Sequence, residues 1–400
     1  MVKKRILYVS GSLGLGHVTR DLAIAKQLRI QCPEVDLSWL AVHPASLLLK
    51  EAGEKLLREA NLYANVNIHA ENAAKGFGMN VLKYASNESK TLFHNVKIFK
   101  QIIRREKFDI VISDEAYELT VGLAMKLVRL EAPFVMIYDF LGLDSMTNNP
   151  IEMLGVNIAN RIWAKCDRKL LSGQKNLGLF AGEPEDIPDK GLGFLLPNRR
   201  DHAGKYYKFT GYILPFNPAE YTDKSRIRTK LGYGREPLAV CSIGGTSIGK
   251  GLLELCGQAY PIIKQKVPDL RMVLICGPRL SVEDLEVAEA VEVSGYVPAL
   301  YEHFAASDLT IVQGGGTATL ELTALRRPFL YFPLANHCEQ QIHVAGRLVR
   351  HQAGIKMVYS QTTPEILAEK VITNLGKKVN YPPISVDGAQ KAAQLIIQLL

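Results

Sequence analysis

The feature of this sequence that most restricts its fold is a repeated alternation of short, β-branched apolar runs with helical patterns. Continuous apolar strands between helices are typical of parallel sheets that carry helices on both faces. A first series of candidate strands covers Arg5–Ser10, Asp36–Val42, Asp109–Ser113, Pro133–Tyr138 and Lys169–Ser172. A second series covers Leu238–Ile243, Arg271–Cys276, Glu292–Gly295, Leu309–Gln313, Phe329–Phe332 and Ile355–Tyr359. The sequence therefore predicts an α/β protein with two doubly wound parallel sheets.

The two series of strands predict two domains, for which 400 residues are sufficient. We assign residues 1–210 to an N-terminal domain and residues 237–383 to a C-terminal domain. Residues 211–236 contain two prolines and a charged run, which is typical of an interdomain connector. Residues 384–400 have helical apolar spacing, and this final helix could pack back on the N-terminal domain.

Composition narrows the class of protein. The chain is 47% apolar and 22% charged, as expected for a folded soluble protein, and no apolar run is long enough to span a bilayer. Six cysteines without metal-ligand spacing fit a reduced, cytoplasmic setting. The formal net charge of +8 favours an anionic partner, which could be nucleic acid, anionic lipid or a nucleotide sugar. Nucleic acid is the weakest of these because zinc-finger spacing and an aromatic RNA-binding signature are both missing.

A glycine-rich loop follows the first predicted strand and includes Gly14 and Gly16. A strand, a glycine turn and a helix together present backbone N–H groups that suit an anion or a closely approaching substrate. The glycine order is not that of a dinucleotide-binding loop, which disfavours an NAD enzyme. A tight turn that needs glycine only for packing is the alternative. His17, at the exit of this loop, is a candidate general base.

A second candidate for the same site ends the strand at 109–113. If the strands are neighbours, Asp114 lies on the same side of the crevice as His17, where its carboxylate could orient the imidazole. The alternative is that Asp114 caps the helix that follows.

The most informative segment is a strand that runs into three glycines and then directly into a helix. Such a loop and its helix dipole can hold a diphosphate without a metal. A carboxylate one turn into the helix could accept hydrogen bonds from both ribose hydroxyls. The residues concerned are Gln313, Gly314, Gly315, Gly316, Thr317 and Glu321.

Two further segments are expected on the same crevice. The loop with Gly244, Gly245 and Thr246 ends the first strand of the second series and could also contact phosphate. Amide side chains follow the strand at 329–332 and could read sugar hydroxyls, since amides both donate and accept hydrogen bonds. A helix cap and surface positions are the alternatives for this second segment.

At this point two segments resemble a known family. Residues 11–28 are similar to the N-terminal signature of the lipid-linked N-acetylglucosamine transferase of peptidoglycan synthesis. Residues 313–345 resemble the donor-binding motif which that enzyme shares with natural-product glycosyltransferases. The resemblance implies the GT-B fold and an inverting, metal-independent hexosyltransferase that uses no cofactor besides its nucleotide-sugar co-substrate.

The resemblance also implies roles for individual residues. His17 matches the catalytic histidine, and Asp114 matches its aspartate partner. In the second domain, Gly315, Gly316 and Thr317 match the phosphate loop, Glu321 the ribose-binding glutamate, Gln340 and Gln341 the residues that bind the donor sugar, and Tyr296 and Val297 the segment whose backbone reads the base. The expected partners are a UDP- or dTDP-sugar and an acceptor hydroxyl. The chain departs from the family at Gln313, where His or Arg is frequent, and at Val344, where Asn is common.

Two rival functions share these motifs. A sugar-nucleotide 2-epimerase of the same fold would convert the donor without an acceptor. A non-catalytic nucleotide-sugar-binding protein would keep Glu321 and the phosphate loop but would not need His17.

The segment 71–107 combines many basic residues with interleaved apolar ones. This pattern suits an anionic membrane surface and a peripheral location on the inner face of the membrane. An amphipathic helix with a solvated basic face is the alternative, and we place it slightly ahead.

Overall fold

The computed structural model describes residues 3–11, 14–74, 77–78, 81–288 and 290–400, and only the backbone at 66 and 81–90. The chain forms two compact units. Unit 1 consists of Met1–Ala73, Asn80–Pro215 and Ser385–Leu400, and unit 2 consists of Ala74–Met79 and Phe216–Ile384.

Each unit is built on a six-stranded sheet in which every neighbouring pair is parallel. The strand order in unit 1 is β2-β1-β3-β4-β5-β6, with β1 Lys4–Val9, β2 Val35–Leu40, β3 Ile110–Asp114, β4 Phe134–Tyr138, β5 Leu177–Phe180 and β6 Tyr207–Phe209. The order in unit 2 is β12-β11-β10-β7-β8-β9, with β7 Leu238–Ser242, β8 Arg271–Ile275, β9 Glu292–Ser294, β10 Leu309–Gln313, β11 Phe329–Phe332 and β12 Ile355–Lys356. The predicted α/β class with two parallel sheets is confirmed.

Helices connect the strands and cover both faces of each sheet. They are α1 Gly16–Gln31, α2 Ala45–Glu51, α3 Val66–Ala73, α4 Val81–Arg105, α5 Tyr117–Ala124, α6 Pro150–Leu171, α7 Arg199–Tyr206, α8 Lys224–Leu231, α9 Lys250–Lys264, α10 Leu300–Ala306, α11 Gly316–Ala324, α12 Ala345–Arg350, α13 Pro364–Asn374 and α14 Gly388–Ile397. A π-helical turn, Glu339–Val344, precedes α12, and short 3₁₀ helices lie at Arg58–Asn61, Pro184–Asp186, Pro218–Tyr221, Val282–Asp284 and Tyr359–Gln361. Among the described residues, no helix is long and apolar enough to cross a membrane.

The core of unit 1 has a layer on each face of its sheet, because alternate strand residues point to opposite faces. Ile6 and Tyr8 of β1 pack with α1 and α14, whereas Leu7 and Val9 pack with α4 and α5. Unit 2 is built in the same way: α9 and α13 cover one face, and α8, α10, α11 and α12 cover the other.

One predicted strand is wrong. Residues 169–172 form the end of α6 and its cap, and the fifth strand is β5 at Leu177–Phe180. The helix starts at a strong signal, with Asn149 accepting a hydrogen bond from the Ile151 N–H and Pro150 at the first helical position. Once started, it continues through the short apolar run that resembles a strand. The sequence analysis also missed β6.

The connector predicted at 211–236 is divided between the units, with 211–215 in unit 1 and 216–236 in unit 2. Arg228 of α8 fixes this segment to the sheet. Its Nε donates to the carbonyl oxygen of Ala306 at 2.9 Å and its Nη2 donates to Asp308 Oδ2 at 2.6 Å. The two compact units separate between Pro215 and Phe216.

Candidate functional site

The first candidate site lies at the carboxyl ends of β1, β3 and β4, where ligands bind in open α/β sheets. The glycine loop after β1 is shaped by close contacts. A Cβ on Gly11 would lie 2.8 Å from the carbonyl oxygen of Asp114 and 3.0 Å from Cγ of His17. Gly14 has a φ of +72°, and its N–H donates to Asn67 Oδ1 at 2.8 Å. Glycine is therefore required here for both space and backbone conformation.

The structure brings His17 and Asp114 together in unit 1. His17 lies in the first turn of α1, and its Nδ1 is 3.3 Å from Asp114 Oδ1 at the end of β3. Register explains the approach: β1 pairs directly with β3, so the two strands end side by side. The Asp114 side chain is fully buried, whereas that of His17 is 17% exposed.

Arg20, one turn after His17 on α1, is a member of this cluster that the sequence analysis missed. It binds Asp114 with two N–H groups, Nε to Oδ2 at 3.0 Å and Nη2 to Oδ1 at 2.5 Å. Its Nη1 donates to Asp139 Oδ2, just beyond β4, at 2.8 Å. Arg20 Nη2 also lies 3.0 Å from His17 Nδ1. One guanidinium thus joins the ends of two neighbouring strands.

Glu115 is the second missed member. Its backbone φ of +49° lies in the left-handed region, which is uncommon for a residue other than glycine. Its carboxylate is held by the N–H of Asp139 at 3.2 Å and by the hydroxyl of Tyr117 at 3.1 Å. Oε2 is then 3.9 Å from His17 Nε2, the ring nitrogen on the side away from Asp114.

A further carboxylate, Asp21, lies beneath the cluster. It accepts hydrogen bonds from the hydroxyls of Tyr8 at 2.8 Å and Ser10 at 2.5 Å. Burial, followed by the nearby charge of Asp114, raises the pKa of Asp21 well above its ordinary value.

The other charged groups of the cluster change one another's pKa values. Burial raises the pKa of Asp114, but the charges of Arg20 and His17 outweigh it and hold that pKa well below its usual range. Burial lowers the pKa of His17, but the carboxylates of Asp114 and Glu115 outweigh it and raise the pKa to about 10. Burial, and then the charge of Asp139, raises the pKa of Glu115 well above its ordinary value. These shifts favour the imidazolium form of His17.

His17, Asp114 and Glu115 have ligand atoms within 4.8 Å of one another, a spacing that could suit a metal ion. Arg20 already places a permanent cation there, 2.5 Å from Asp114 Oδ1. A guanidinium at this distance neutralises the carboxylate. Among the described residues, the cluster is thus ion-paired through Arg20.

The second candidate site lies in unit 2, where β10 leads into α11. Gly314 packs so tightly that a Cβ would lie 2.7 Å from Cα of Pro333, whereas a Cβ on Gly315 would meet no atom within 4 Å. Gly315 is the N-cap, and Gly316 and Thr317, both partly exposed, begin α11. One glycine thus allows close packing, and the next leaves the N-terminus of the helix open to an anion.

Glu321, in the second turn of α11, is a buried carboxylate without a counter-charge. Its side chain makes no hydrogen bond or ion pair with any residue that the structure describes. Only 5% of the residue surface is exposed, and burial raises its pKa to about 8. An unpaired buried carboxyl group costs free energy unless a ligand satisfies it.

Arg347, which the sequence analysis did not single out, supports the start of α11. This buried side chain on α12 donates from Nη2 to the carbonyl oxygen of Gly316 at 2.6 Å. It also approaches Thr319 Oγ1 at 3.4 Å. It fixes the first turn of the helix whose N–H groups would meet an anion.

Gln313 braces a neighbouring loop. With its amide oriented to satisfy its surroundings, Nε2 donates to the carbonyl oxygens of Ile243 at 2.9 Å and Ile248 at 3.0 Å. These residues flank the loop of Gly244, Gly245 and Thr246, in which Gly244 has a φ of +79°. The predicted phosphate contact of Gln313 would use the same amide that already holds this loop.

The amides predicted to bind donor sugar also have partners within unit 2. Gln340 Oε1 accepts from the N–H of Leu334 at 2.8 Å, and Gln341 Nε2 donates to the carbonyl oxygens of Pro333 and Leu334. Both residues lie on the π-helical turn, and both hold the loop after β11. Their role in sugar binding stays a prediction.

Tyr296 and Val297 lie between β9 and α10, and both are partly buried. The loop is anchored where the Gly277 N–H donates to the carbonyl oxygen of Gly295 at 3.2 Å. Their predicted contact with a base uses backbone atoms of this loop and also stays a prediction.

Comparison with known proteins shows what this chain resembles. Residues 239–399 match the Glycosyltransferase family 28 C-terminal domain. The chain is 26% identical over 193 residues to an uncharacterized glycosyltransferase of Methanopyrus kandleri, a match that covers 47% of this chain and about half, 53%, of that relative.

Over 385 residues the chain is 23% identical to UDP-N-acetylglucosamine--N-acetylmuramyl-(pentapeptide) pyrophosphoryl-undecaprenol N-acetylglucosamine transferase of Acetivibrio thermocellus, covering 92% of this chain and 88% of that protein. The structure of the spinosyn rhamnosyltransferase SpnG complexed with thymidine diphosphate has the same fold, with a TM-score of 0.59, 16% identity, and coverage of 99% of this chain and 95% of that chain.

Residues 239–399 therefore resemble a glycosyltransferase family 28 C-terminal domain, and the chain shares the GT-B fold of the solved structures. The likeness extends to an N-acetylglucosamine transferase in sequence and to a rhamnosyltransferase in fold.

Proposed function

We propose that this protein transfers a hexose from a UDP- or dTDP-sugar to an acceptor hydroxyl, with inversion at the anomeric carbon and without a metal ion. The observation that carries the donor half is Glu321, a buried and unpaired carboxylate one turn beyond a glycine-rich helix start. Two ribose hydroxyls are donors that would satisfy this acceptor. The names of the relatives support UDP and dTDP, since one uses a UDP-sugar and one binds thymidine diphosphate.

The N-terminus of α11 would receive the diphosphate. The Gly315 N–H already donates to the carbonyl oxygen of Gln313 at 2.8 Å, so the N–H groups that would meet the diphosphate begin at Gly316, the first residue of α11. The helix dipole favours negative charge at this end. These groups would stabilise the charge that develops on the leaving diphosphate. This arrangement supplies the electrostatic role for which other transferases use a metal ion. Gly244 and Thr246 would border the same ligand, held in place by Gln313.

The acceptor half would be the cluster around His17 in unit 1. The acceptor hydroxyl meets this partly exposed ring, gives up its proton at the site, and attacks the anomeric carbon from the face opposite the diphosphate. Asp114 orients His17, and Arg20 fixes Asp114. A positioned acid–base group contributes about 10²–10⁴-fold in rate.

Calorimetry with UDP, dTDP, GDP and ADP, with and without magnesium, tests the donor half. We expect UDP or dTDP to bind without metal, and we expect the Glu321→Ala variant to lose this binding. The matched control is Glu369→Gln, which removes an exposed carboxylate from α13 of the same unit. If neither pyrimidine nucleotide binds the wild type, the transferase proposal fails.

An anionic membrane surface is proposed as a further partner. In the described part of segment 71–107, α4 buries Phe99 and Ile102 while Lys97 and Arg104 are exposed, so the helix is amphipathic with a basic outer face. Lys75 and Met79 lie outside the described residues, and the side chains at 81–90 are not described. This arrangement suits the solvated-face interpretation as well as a membrane surface.

A second surface of unit 1 supports the proposal of membrane binding. Ile151, Leu154 and Ile158 share one face of α6 and are at least half exposed, and Phe194 is 74% exposed. Arg161 donates to the carbonyl oxygen of Phe194 at 3.3 Å, which places a cation beside these apolar side chains. Basic residues beside exposed apolar ones suit an anionic lipid surface. We expect the protein to sediment with anionic vesicles at low salt, and absence of sedimentation would refute this partner.

A further inference from the structure

The carboxylate of Glu115 stands where the reaction needs a proton acceptor. His17 Nε2 and Glu115 Oε2 are 3.9 Å apart, too far for a direct hydrogen bond. One hydroxyl oxygen placed between them can lie within about 2.6–3.2 Å of both, which is the range for a catalytic proton transfer. Both side chains are partly accessible, at 17% and 8% exposure, whereas Asp114 is inaccessible.

Asp114 is already paired. Two N–H groups of Arg20 bind its two oxygens, and its charge is offset by that guanidinium. Asp114 therefore supports a charged imidazole less than an unpaired aspartate would. Within the described part of the chain, the cationic nitrogens that approach the Glu115 carboxylate are Arg20 Nη2 and His17 Nε2, each at 3.9 Å. The two oxygens of Glu115 are held by uncharged donors, the Asp139 N–H and the Tyr117 hydroxyl.

The backbone is strained in a way that aims this carboxylate. Glu115 adopts a φ of +49°, and the Asp139 N–H and the Tyr117 hydroxyl hold its two oxygens in place. A left-handed residue other than glycine persists only where surrounding contacts impose it, and such residues cluster at active sites. Both donors would also stabilise the ionised form of the carboxylate.

We propose that Glu115 is a further catalytic residue, which accepts the proton of the acceptor hydroxyl while His17 donates a hydrogen bond to the same oxygen. This inference rests on the proposed function. The hydroxyl gives its proton to Oε2 of Glu115. Its oxygen forms the new bond to the anomeric carbon, and the diphosphate leaves with the electron pair of the broken carbon–oxygen bond. Protonated Glu115 then releases the proton to solvent.

The charges around the pair agree with Glu115 as the proton acceptor and His17 as the hydrogen-bond donor. The neighbours of the pair are Asp114 on β3, Asp139 after β4, Arg20 and Asp21 on α1, Tyr8 on β1 and Tyr117 on α5. With a pKa of about 10, His17 remains charged at neutral pH, so it can donate from Nε2 but not accept there. A carboxylate whose pKa lies above its ordinary value is a stronger base than a normal one.

The test uses the full-length protein, with UDP-N-acetylglucosamine and dTDP-glucose as donors and water as acceptor, and measures release of the nucleotide. We expect Glu115→Gln to lower kcat by about 10²–10⁴-fold at neutral pH with KM for the donor unchanged. Glu115→Asp should retain more activity, since it keeps a carboxylate. Glu131→Gln, which alters an exposed carboxylate of unit 1, is the matched control and should behave like the wild type.

A second readout does not depend on turnover. NMR titration of the His17 ring should give a lower pKa in Glu115→Gln than in the wild type, because one of the carboxylates that raise it is gone. Nucleotide binding and thermal unfolding establish that the variant is folded. If Glu115→Gln keeps kcat within a few-fold, or leaves the His17 pKa unchanged, the inference is overturned. A wild type that releases no nucleotide and binds neither UDP nor dTDP refutes the proposed function itself, which is a separate result.

Discussion

The ionisation of Glu321 should be visible in the pH dependence of stability. The folded-state pKa is raised by burial from 4.5 to about 8, so between these values the folded protein binds a proton that the unfolded chain does not. The free energy of unfolding therefore falls as pH rises through this interval and levels off above pH 8. At 1.36 kcal/mol per pH unit, the interval corresponds to a loss of about 5 kcal/mol.

Glu321→Gln removes this titration and keeps the shape of the side chain. We expect the unfolding free energy of the variant, minus that of the wild type, to increase by about 3 kcal/mol between pH 4.5 and pH 7. Urea denaturation of both proteins at several pH values measures the difference. Glu369→Gln, at an exposed position on α13 of the same unit, is the matched control. A flat difference for Glu321→Gln would refute the assignment of a buried, titrating carboxyl group.

The nucleotide provides the second half of this test. Ribose hydroxyls would donate to the ionised carboxylate. As pH rises towards 8, the affinity of the wild type for UDP should therefore increase about tenfold per pH unit. In Glu321→Gln this pH dependence should disappear, and affinity should be low throughout. Calorimetry in buffers of different ionisation enthalpy would also detect the proton released on binding. A stability difference that slopes with pH, combined with nucleotide binding that does not, would refute the contact with ribose.

Three further outcomes follow from the glycines and from the proposed chemistry. Gly11→Ala should push His17 away from Asp114, because the added Cβ would lie 3.0 Å from the ring, and should lower kcat at least tenfold without changing nucleotide affinity. Gly314→Ala should cost about 1–3 kcal/mol in unfolding free energy, as measured by urea denaturation, whereas Gly315→Ala, which meets open space, should cost much less. Turnover should persist in excess chelator, and loss of activity there, restored by a divalent cation, would contradict metal independence.

The sequence was sufficient to predict the architecture because the strand-like apolar runs and the helical patterns between them agree. Apolar runs bounded by glycines and helical patterns between them locate nearly all strands of both sheets. The error at residues 169–172 arises where a short apolar run is equally compatible with a helix end, and the start of α6 lies twenty residues upstream. The local pattern could not show whether residues 169–172 are a strand or a helix, because the signal that starts the helix is its distant N-terminal cap.

The site was less accessible to sequence reasoning. His17 and Asp114 could be paired because the carboxyl ends of neighbouring parallel strands meet at one edge. Arg20 looks like an ordinary helix charge, and only its burial against β3 and β4 makes it part of the cluster. Glu115 offered a signal, as the acid next to Asp114, but its direction depends on a backbone conformation that no residue type indicates.

The route of the chain through the two units constrains how the protein can form during synthesis. Unit 1 closes only when residues 385–400 return to it, and Ala392, Ala393 and Ile396 of α14 complete the layer that contains Ile24 and Leu28 of α1. On the ribosome, the first half of the chain must therefore wait, with one apolar face of its sheet incompletely covered, while unit 2 is translated. At about 5–20 residues per second this interval lasts on the order of ten seconds or more. A nascent chain of this topology exposes a surface for chaperones throughout that time, and ribosome stalling late in translation would leave an aggregation-prone species.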